Sequence, residues 1–301
     1  MKPTPTLLVV LFIILCPGDL LAGEIYVLRG NGLKVLFESP LEPVARETAQ
    51  IYPQVKEQLE STLGWVLETE PSVLLFKDRK HKWWAHRNPL ISAFAVPGKS
   101  LIVIDHSKMG VFENGLENTL EHELCHLLLH SHINKTFLPR WLDEGVCQWV
   151  SDGPGEIMVD QKRSLLNRAA VTGRYIPLRD LGTSFPTDND SLLLAYEQSK
   201  DIVKYMVRRF GKEGVKDVLR HMKKGKVVDA AVFQALSIRL DDLEREWHDS
   251  LGSNMTWYIY LSYYLYEILF ALAALTTIYA AIKLVIRKRN YMREEEDDLG
   301  Y

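Results

Sequence analysis

The sequence has few cysteines, no excess of positive charge and no repeats. Three of its 301 residues are cysteine, and because Cys16 lies in an N-terminal apolar run, only Cys125 and Cys147 remain for the rest of the chain. These two either form one disulfide or stay as buried free thiols. The formal net charge of −3 offers no positive field to a phosphate backbone, so we predict no nucleic-acid partner. No internal repeat or low-complexity linker is visible, and a composition of 47% apolar and 25% charged residues is that of an ordinary globular protein.

Long hydrophobic runs are also few, and both lie near the ends of the chain. The first has Lys2 before it, nine apolar residues from Leu7 to Leu15, and small residues at Ala22-Gly23. A permanent anchor would need about 20 apolar residues to cross the bilayer core. The run therefore predicts a secretory signal peptide over residues 1–22.

The second run, from Leu251 to Ile282, carries a single charge, Glu267. It opens with a cluster of Trp and Tyr residues, so we predict an aromatic belt and a transmembrane helix over residues 257–286. Basic residues follow, and the positive-inside rule then puts a tail of residues 287–301 in the cytoplasm and the N-terminal domain outside. We expect a single-pass protein of the lipid bilayer, in a bacterial inner membrane with its domain on the periplasmic or extracellular side; a eukaryotic secretory route is the alternative.

Between the two runs, the pattern changes from strands to helices. It predicts an α+β fold, with a small mixed or antiparallel sheet in an N-lobe of residues 23–118 and an α-helical lobe over residues 119–251. Pro53 is expected to kink or split the one long helix of the N-lobe. The N-lobe elements are expected at Leu33–Phe37, Val44–Leu63, Val73–Phe76, Ala93–Val96 and Leu101–Asp105.

One stretch of the helical lobe, Glu121 to His130, contains the pattern His-Glu-x-x-His. On a helix, His122 and His126 lie one turn apart on the same face, so both imidazoles can reach one Zn²⁺ while Glu123 faces a water on the metal. This HExxH helix is the core of a zinc hydrolase site, and we expect one Zn²⁺ per chain. His130 lies four positions after His126 and could form a second pair with it, but it is near the expected end of the helix and is expected to be solvated.

A hydrolytic zinc site typically has three protein ligands, so a third ligand is needed. Glu144 lies 18 positions after His126 in a Trp-Leu-Asp-Glu-Gly segment, which predicts a second helix packed on the first. His132 stands at the third-histidine position of the metzincin pattern His-Glu-x-x-His-x-x-Gly-x-x-His. That pattern needs a glycine where this chain has Leu129, because the backbone must turn there. Helix geometry favours Glu144, with His132 and the neighbouring Asp143 as alternatives.

The combination of His122-Glu-x-x-His126 with Trp141-Leu-Asp-Glu144-Gly resembles the gluzincin zinc metallopeptidases, specifically the peptidase MA-like family related to thermolysin and the M1-type aminopeptidases. The resemblance extends over about residues 33–251 and implies a thermolysin-like catalytic domain. Two later segments are also similar to that family: Ala195-Tyr-Glu-Gln-Ser199 and Leu243-Glu-Arg-Glu-Trp247.

The resemblance also implies roles for single residues. It makes His122, His126 and Glu144 the zinc ligands and Glu123 the general base. It makes Tyr196 the donor that stabilises the oxyanion of the tetrahedral intermediate.

Two further expectations come from the same family. The strand formed by Ala93, Phe94, Ala95 and Val96 stops at Pro97, which marks it as an edge strand, and the resemblance implies that this edge holds the backbone of the substrate. The thermolysin branch has an acidic residue four positions after the ligand Glu, which orients a ligand histidine. Gln148 stands there in this chain, and we expect it to accept the same hydrogen bond without a charge.

The sequence therefore predicts a membrane-anchored zinc metallopeptidase that hydrolyses a peptide or protein substrate through a metal-activated water, with Glu123 as general base. A non-catalytic zinc-binding or scaffold membrane protein with a peptidase-like fold is one alternative, but a scaffold has no need of a base at position 123. A metzincin-like hydrolase that uses His132 is another. No Gly-x-Met-x-Asn motif for gripping a free α-amine occurs near residues 93–98, which favours an endopeptidase.

Overall fold

The computed structural model describes residues 7–8, 25–77, 88, 90–107, 115–152, 164–254 and 264–298. A sheet occupies the N-terminal part of these residues and helices the C-terminal part, which confirms the predicted mixed fold. Most of the predicted signal peptide, residues 1–6 and 9–22, and most of the predicted aromatic belt, residues 257–263, lie outside the described residues.

The described elements alternate between strands and helices at first, and those after residue 115 are all helices. The described strands are β1 (Leu7–Leu8), β2 (Ile25–Gly30), β3 (Leu33–Glu38), β4 (Ser72–Phe76), β5 (Ala93–Val96) and β6 (Leu101–Asp105). The described helices are α1 (Glu42–Leu63), α2 (Gly115–His132), α3 (Arg140–Val150), α4 (Leu165–Thr172), α5 (Asn189–Lys223), α6 (Val228–Leu236), α7 (Leu240–Asn254) and α8 (Leu265–Asp298).

The sheet is mixed, and its strand order is β1-β2-β3-β4-β6-β5. Its centre is parallel: Val35, Val73 and Ile102 lie side by side on β3, β4 and β6, and all three are fully buried. The hairpin between β2 and β3 turns at Asn31 and Gly32, whose φ angles of 57° and 77° match the favoured two-residue turn. The parallel connection from β3 to β4 is made by α1, as parallel strands require a crossover.

Strand β5 forms one edge of the described sheet. It pairs antiparallel with β6, from Ala93 opposite Ile104 to Val96 opposite Leu101. Ala93 and Phe94 are buried, and the strand also contacts α2. The predicted edge strand is therefore present, and it lies beside the helix that carries the His-Glu-x-x-His pattern.

Helix α1 packs on the sheet through residues spaced three to four apart, as an amphipathic helix does. Of the two outcomes expected at Pro53, a kink or a split, the split does not occur. The helix continues from Glu42 to Leu63 and ends at Gly64, which has a left-handed φ of 73° and whose N–H donates to Glu60 O. Its buried residues are Ala45, Thr48, Tyr52, Val55, Leu59 and Leu63.

Helix α2 is surrounded by protein. Every residue from Thr119 to Leu129 is buried, and the helix contacts α1, β5 and α3. Burying a polar or charged side chain is costly unless it is paired. The fully or nearly fully buried His122, Glu123 and His126, like Glu121 beside them, therefore call for an explanation.

A glycine allows α3 and α5 to approach each other closely. A Cβ at Gly145 would overlap the backbone oxygen of Ser199 and lie 2.7 Å from Val203 Cγ2. Helix α7 is fixed to α5 by Trp247, which is fully buried and donates from Nε1 to Asp201 Oδ1 at 2.7 Å. Helices α3, α4, α6 and α7 thus all contact α5.

The chain divides into two units, Met1–Asp249 and Ser250–Tyr301. In the second unit, the segment Leu265–Arg289 is long and apolar enough to cross a membrane, with 25 residues and a mean hydropathy of 2.1. At 1.5 Å per residue it is about 37 Å long, compared with about 30 Å for a hydrocarbon core. Its large apolar side chains are exposed, Phe270 at 78%. This confirms the predicted apolar C-terminal helix.

Candidate metal centre

Three side chains converge between α2 and α3. His122 Nε2 and His126 Nε2 lie 3.1 Å apart, and Glu144 Oε2 lies 3.6 Å from the former and 3.5 Å from the latter. The i, i+4 spacing on α2 aligns the two imidazoles, and the packing of α3 on α2 supplies the carboxylate. The structure brings together the three residues predicted as ligands.

The two distances to the carboxylate fit the ligands of one tetrahedral metal ion, and the 3.1 Å between the imidazole nitrogens is slightly shorter. Ligand atoms held about 2.0–2.2 Å from Zn²⁺ at tetrahedral angles lie about 3.3–3.6 Å apart. The carboxylate is too far from either imidazole for a good hydrogen bond. Within the described part of the chain, neither Glu144 Oε2 nor His122 Nδ1 has a hydrogen-bond partner. A buried carboxylate oxygen that faces two imidazole nitrogens suits a cation, and this donor set suits Zn²⁺.

Burial and neighbouring charges set the protonation states of the three donor residues. Burial lowers the pKa of His122, so its ring is neutral. Burial alone would raise the pKa of Glu144, but His126 and the Arg140 guanidinium hold it well below its usual range. Burial alone would lower the pKa of His126, but Asp143 and Glu144 raise it well above its usual value. In the metal-free protein, a protonated His126 therefore supplies the positive charge beside the buried carboxylates. Metal binding must displace that proton.

Asp143 bridges two histidines of α2. His126 Nδ1 donates to Asp143 Oδ1 at 2.8 Å, and His130 Nε2 donates to Oδ2 at 2.8 Å. Burial alone would raise the pKa of Asp143, but the two histidines hold it well below its usual range, so the carboxylate is the acceptor in both bonds. His130 is only 14% exposed. The expectation that it is solvated is wrong, because α3 places an acceptor over it.

His132 lies apart from the convergent group. Leu129 is helical and buried, and α2 continues to His132, so the described helix lacks the turn that the metzincin pattern requires. The His132 ring lies 4.9 Å from the Trp65 ring, and its Nδ1 is 3.1 Å from Ser131 Oγ. The described side chains that could share an ion with His126 do not include His132.

The two residues with predicted catalytic roles lie on different helices. Glu123 is in the same turn of α2 as the histidines, and its side chain is fully buried. Tyr196, on α5, is also buried; its ring meets Phe185 edge-on at 5.0 Å and packs with Leu192. Its hydroxyl accepts from Arg140 Nη2 at 3.4 Å. Tyr196 thus packs as a core residue while its hydroxyl is directed towards α3.

Arg140 belongs to the centre, and sequence analysis missed it. Its Nη2 donates to Glu144 Oε1 at 2.9 Å, and its guanidinium lies 5.2 Å from the Phe185 ring centroid. With Oε1 held in this way, Oε2 faces the histidines. The signal was available in the sequence, since Arg140 and Glu144 are four positions apart, the spacing of ion pairs on a helix.

Gln148 does not orient a ligand histidine. Its Nε2 donates to Tyr196 O at 3.3 Å, a carbonyl that the close approach of α5 at Gly145 brings within reach. The Nδ1 of His126 is bonded to Asp143, and that of His122 has no partner among the described residues. The expectation for Gln148 was therefore wrong.

The two remaining cysteines are buried free thiols. Cys147 Sγ lies 3.5 Å from His126 Nδ1. The ring nitrogen that faces the candidate ion is the other one, Nε2. Burial raises the pKa of Cys147 well above its usual value, so it stays a thiol. Metal ligation needs a thiolate, and Cys147 accordingly lines the centre as an apolar residue.

Comparison with known proteins gives one family. A family model described as the Peptidase MA superfamily matches residues 95–253, more than half of the chain. No curated protein matches. The solved structures similar to this chain include yeast LTA4 hydrolase in complex with bestatin, with 13% identity, a TM-score of 0.44, and coverage of 78% of this chain and 38% of that one. An M1 zinc metallopeptidase from Deinococcus radiodurans has 15% identity, a TM-score of 0.42, and coverage of 76% and 50%. This chain thus spans half or less of the length of those two proteins.

Proposed function

The chain belongs to the Peptidase MA superfamily, and on this basis we propose that it is a zinc-dependent metallopeptidase whose metal is held by His122, His126 and Glu144. The observation that carries the proposal is the buried triangle of two imidazole nitrogens and one carboxylate oxygen, with sides of 3.1, 3.5 and 3.6 Å. Two neutral imidazoles and a carboxylate, with a fourth position left open, are a donor set of catalytic zinc sites.

The residues around the centre have distinct roles in this proposal. Zn²⁺, when bound, supplies a Lewis acid that acidifies water and polarises a carbonyl. Glu123 accepts a proton from the attacking water at a carboxylate oxygen and then donates it to the nitrogen of the leaving amine. The hydroxyl of Tyr196 donates to the carbonyl oxygen of the substrate as negative charge develops there. Arg140 holds Glu144 Oε1 and orients the Tyr196 hydroxyl.

Strand β5 is the proposed site for the substrate backbone. Residues Ala93 to Val96 form an edge of the described sheet beside α2, and an extended peptide can add to such an edge as a further strand. Main-chain hydrogen bonds of this kind would carry little sequence preference, so the side-chain specificity of the enzyme would come from other residues.

We further propose that α8 anchors the protein in a membrane. The support is the exposed apolar segment Leu265–Arg289, followed by basic residues that favour a cytoplasmic tail and an outside catalytic domain. If the helix spans a bilayer, the protein stays in membranes washed with alkaline carbonate and leaves them only with detergent. Protease added from the outside should remove the catalytic domain and spare the tail. Release by carbonate alone would overturn the proposal.

The metal and the chemistry can be tested together on the full-length protein in detergent. We expect one zinc per chain and hydrolysis of peptide bonds. Glu123→Gln should retain the zinc but lose hydrolysis, because the base is gone and the ligands remain. Glu144→Gln should lose most of the zinc.

His132→Ala is the matched control, since His132 lies on the same helix but outside the convergent group. It should retain both zinc and activity. Loss of zinc in His132→Ala with retention in Glu144→Gln would reverse the ligand assignment. A wild-type protein that binds zinc but hydrolyses no peptide, like its Glu123→Gln variant, would establish the non-catalytic alternative. A wild-type protein without zinc would refute the metallopeptidase.

A further inference from the structure

The carboxylate of Asp143 is held at both oxygens by histidines of α2. Oδ1 accepts from His126 Nδ1 and Oδ2 from His130 Nε2, each at 2.8 Å. The side chains of His126, Asp143 and His130 are 8%, 13% and 14% exposed. This is a largely buried chain of three groups whose inner end, His126 Nε2, faces the candidate ion.

We infer that His130 is a positioning residue of the metal centre, which acts through Asp143 on His126. The inference rests on the proposed function, because it assigns to His130 an effect on the proposed ligand His126. His130 itself touches neither the substrate nor the metal in this scheme.

The inner bond fixes which nitrogen of His126 is free. Because the N–H at Nδ1 donates a hydrogen bond to Asp143, the neutral ring has its lone pair at Nε2. That lone pair is directed towards His122 Nε2 and Glu144 Oε2. A ring that turned over would present Cε1–H to the cation, and the other tautomer would present Nε2–H, so neither could supply a lone pair there. The bond to Asp143 therefore sets both the orientation and the tautomer of the ligand.

The outer bond keeps Asp143 in place. The terminal torsion of an Asp side chain has a broad range of allowed values, so one hydrogen bond leaves the carboxylate free to turn. His130 removes that freedom by holding the second oxygen. Without it, Oδ2 would be a nearly buried acceptor lacking its partner, a situation that proteins avoid.

The geometry of the helices makes this connection effective. His122, His126 and His130 are spaced four apart along one side of α2, and Asp143 is adjacent to Glu144 on α3. The bond between His130 and Asp143 therefore also holds the first turn of α3 against α2, at the point where α3 supplies the third ligand.

The test measures zinc affinity of the full-length protein by competition with a chelator. His130→Leu removes the donor and should weaken zinc binding about 10- to 100-fold, the range for partners that orient ligands. His130→Gln places an amide N–H near the position of Nε2 and should restore most of the affinity. His132→Leu, two positions along the same helix, should leave the affinity unchanged.

Two further readouts separate positioning from a general loss of structure. The electronic spectrum of the Co²⁺-substituted protein should change in His130→Leu and return in His130→Gln. In the background of Asp143→Ala, the His130→Leu substitution should cause no further loss, because its effect passes through Asp143. An unchanged affinity and spectrum in His130→Leu, with zinc bound normally by the wild type, would overturn this inference alone. Absence of zinc from the wild type would instead overturn the proposed function.

Discussion

Substituting Gly145 by alanine is expected to push α3 away from α5 and to disturb the metal centre. The new Cβ would overlap Ser199 O and lie 2.7 Å from Val203 Cγ2, whereas carbon atoms in favourable contact are about 3.5–4.0 Å apart. The valine can change rotamer, but the carbonyl of Ser199 belongs to the backbone of α5. The two helices must therefore separate by about 1 Å to restore ordinary contact.

Two effects of Gly145→Ala on stability oppose each other. Alanine in a helix is favoured over glycine by about 1 kcal/mol. Overpacking a well-packed interface costs about 1–3 kcal/mol, and a clash with backbone belongs at the upper end of that range. The net loss is about 2 kcal/mol, which lowers the Tm of a domain of this size by roughly 4–8 °C.

The same movement reaches the ligand next to Gly145. A shift of about 1 Å in Glu144 is larger than the tolerance of about 0.2 Å in metal–ligand distances. Zinc affinity should therefore fall by about tenfold or more.

Thermal unfolding of the metal-free protein, followed by circular dichroism, and chelator competition measure the two effects. Gly252→Ala is the control: it also lies in a helix, α7, and a Cβ there would have no neighbour within 4 Å. It should leave zinc affinity unchanged and keep or raise the Tm. If Gly145→Ala behaves like Gly252→Ala in both measurements, the close approach of α3 and α5 is not required and the reasoning is refuted.

Three other outcomes are expected. Zinc affinity should rise with pH above 6.5, by about tenfold per pH unit, because His126 must lose a proton before it can bind the metal. Burial would lower the pKa of His126, but its carboxylate neighbours raise it well above 6.5. A zinc affinity that does not change with pH in isothermal titration would contradict this. Arg140→Met should retain one zinc by elemental analysis but lower kcat on the order of tenfold, because Glu144 Oε1 loses its hydrogen bond. An unchanged kcat would exclude a role of Arg140 in orienting Glu144. Trp247→Phe removes the hydrogen bond to Asp201, and such a bond to a charged acceptor contributes about 1.5–3 kcal/mol. The substitution should therefore lower the Tm by roughly 3–12 °C. A Tm within 1 °C of the wild type would contradict this contribution of the bond.

The parts of the centre that sequence reasoning could anticipate depend on one helix at a time. The helical period alone aligns His122 with His126, and a strand interrupted by Pro97 reads as an edge. The mixed fold and the apolar C-terminal helix follow in the same way from local hydrophobic patterns. Each of these predictions needs no knowledge of how two elements pack.

The parts that could not be anticipated depend on how α3 is rotated against α2 and α5. Gln148 has the right spacing from Glu144, yet the proximity of α5 gives its amide a carbonyl to bond instead. His130 stands near the end of its helix in the sequence, yet its hydrogen bond to Asp143 on α3 keeps it away from solvent. Which side of α3 faces α2 is a property of tertiary packing, and no local period encodes it.

The helices α2 and α3 are joined by only seven residues, from Ile133 to Pro139. Closing so short a connection costs little chain entropy, and contacts between near neighbours in sequence form quickly. The sheet, α1 and α2 all precede α3 in the chain, whereas Tyr196 follows Glu144 by 52 residues. During synthesis from the N-terminus, both helices that carry the donor atoms therefore exist well before the helix that carries Tyr196. We expect α2 and α3 to associate first, and α5 to fix the position of α3 and add Tyr196 afterwards.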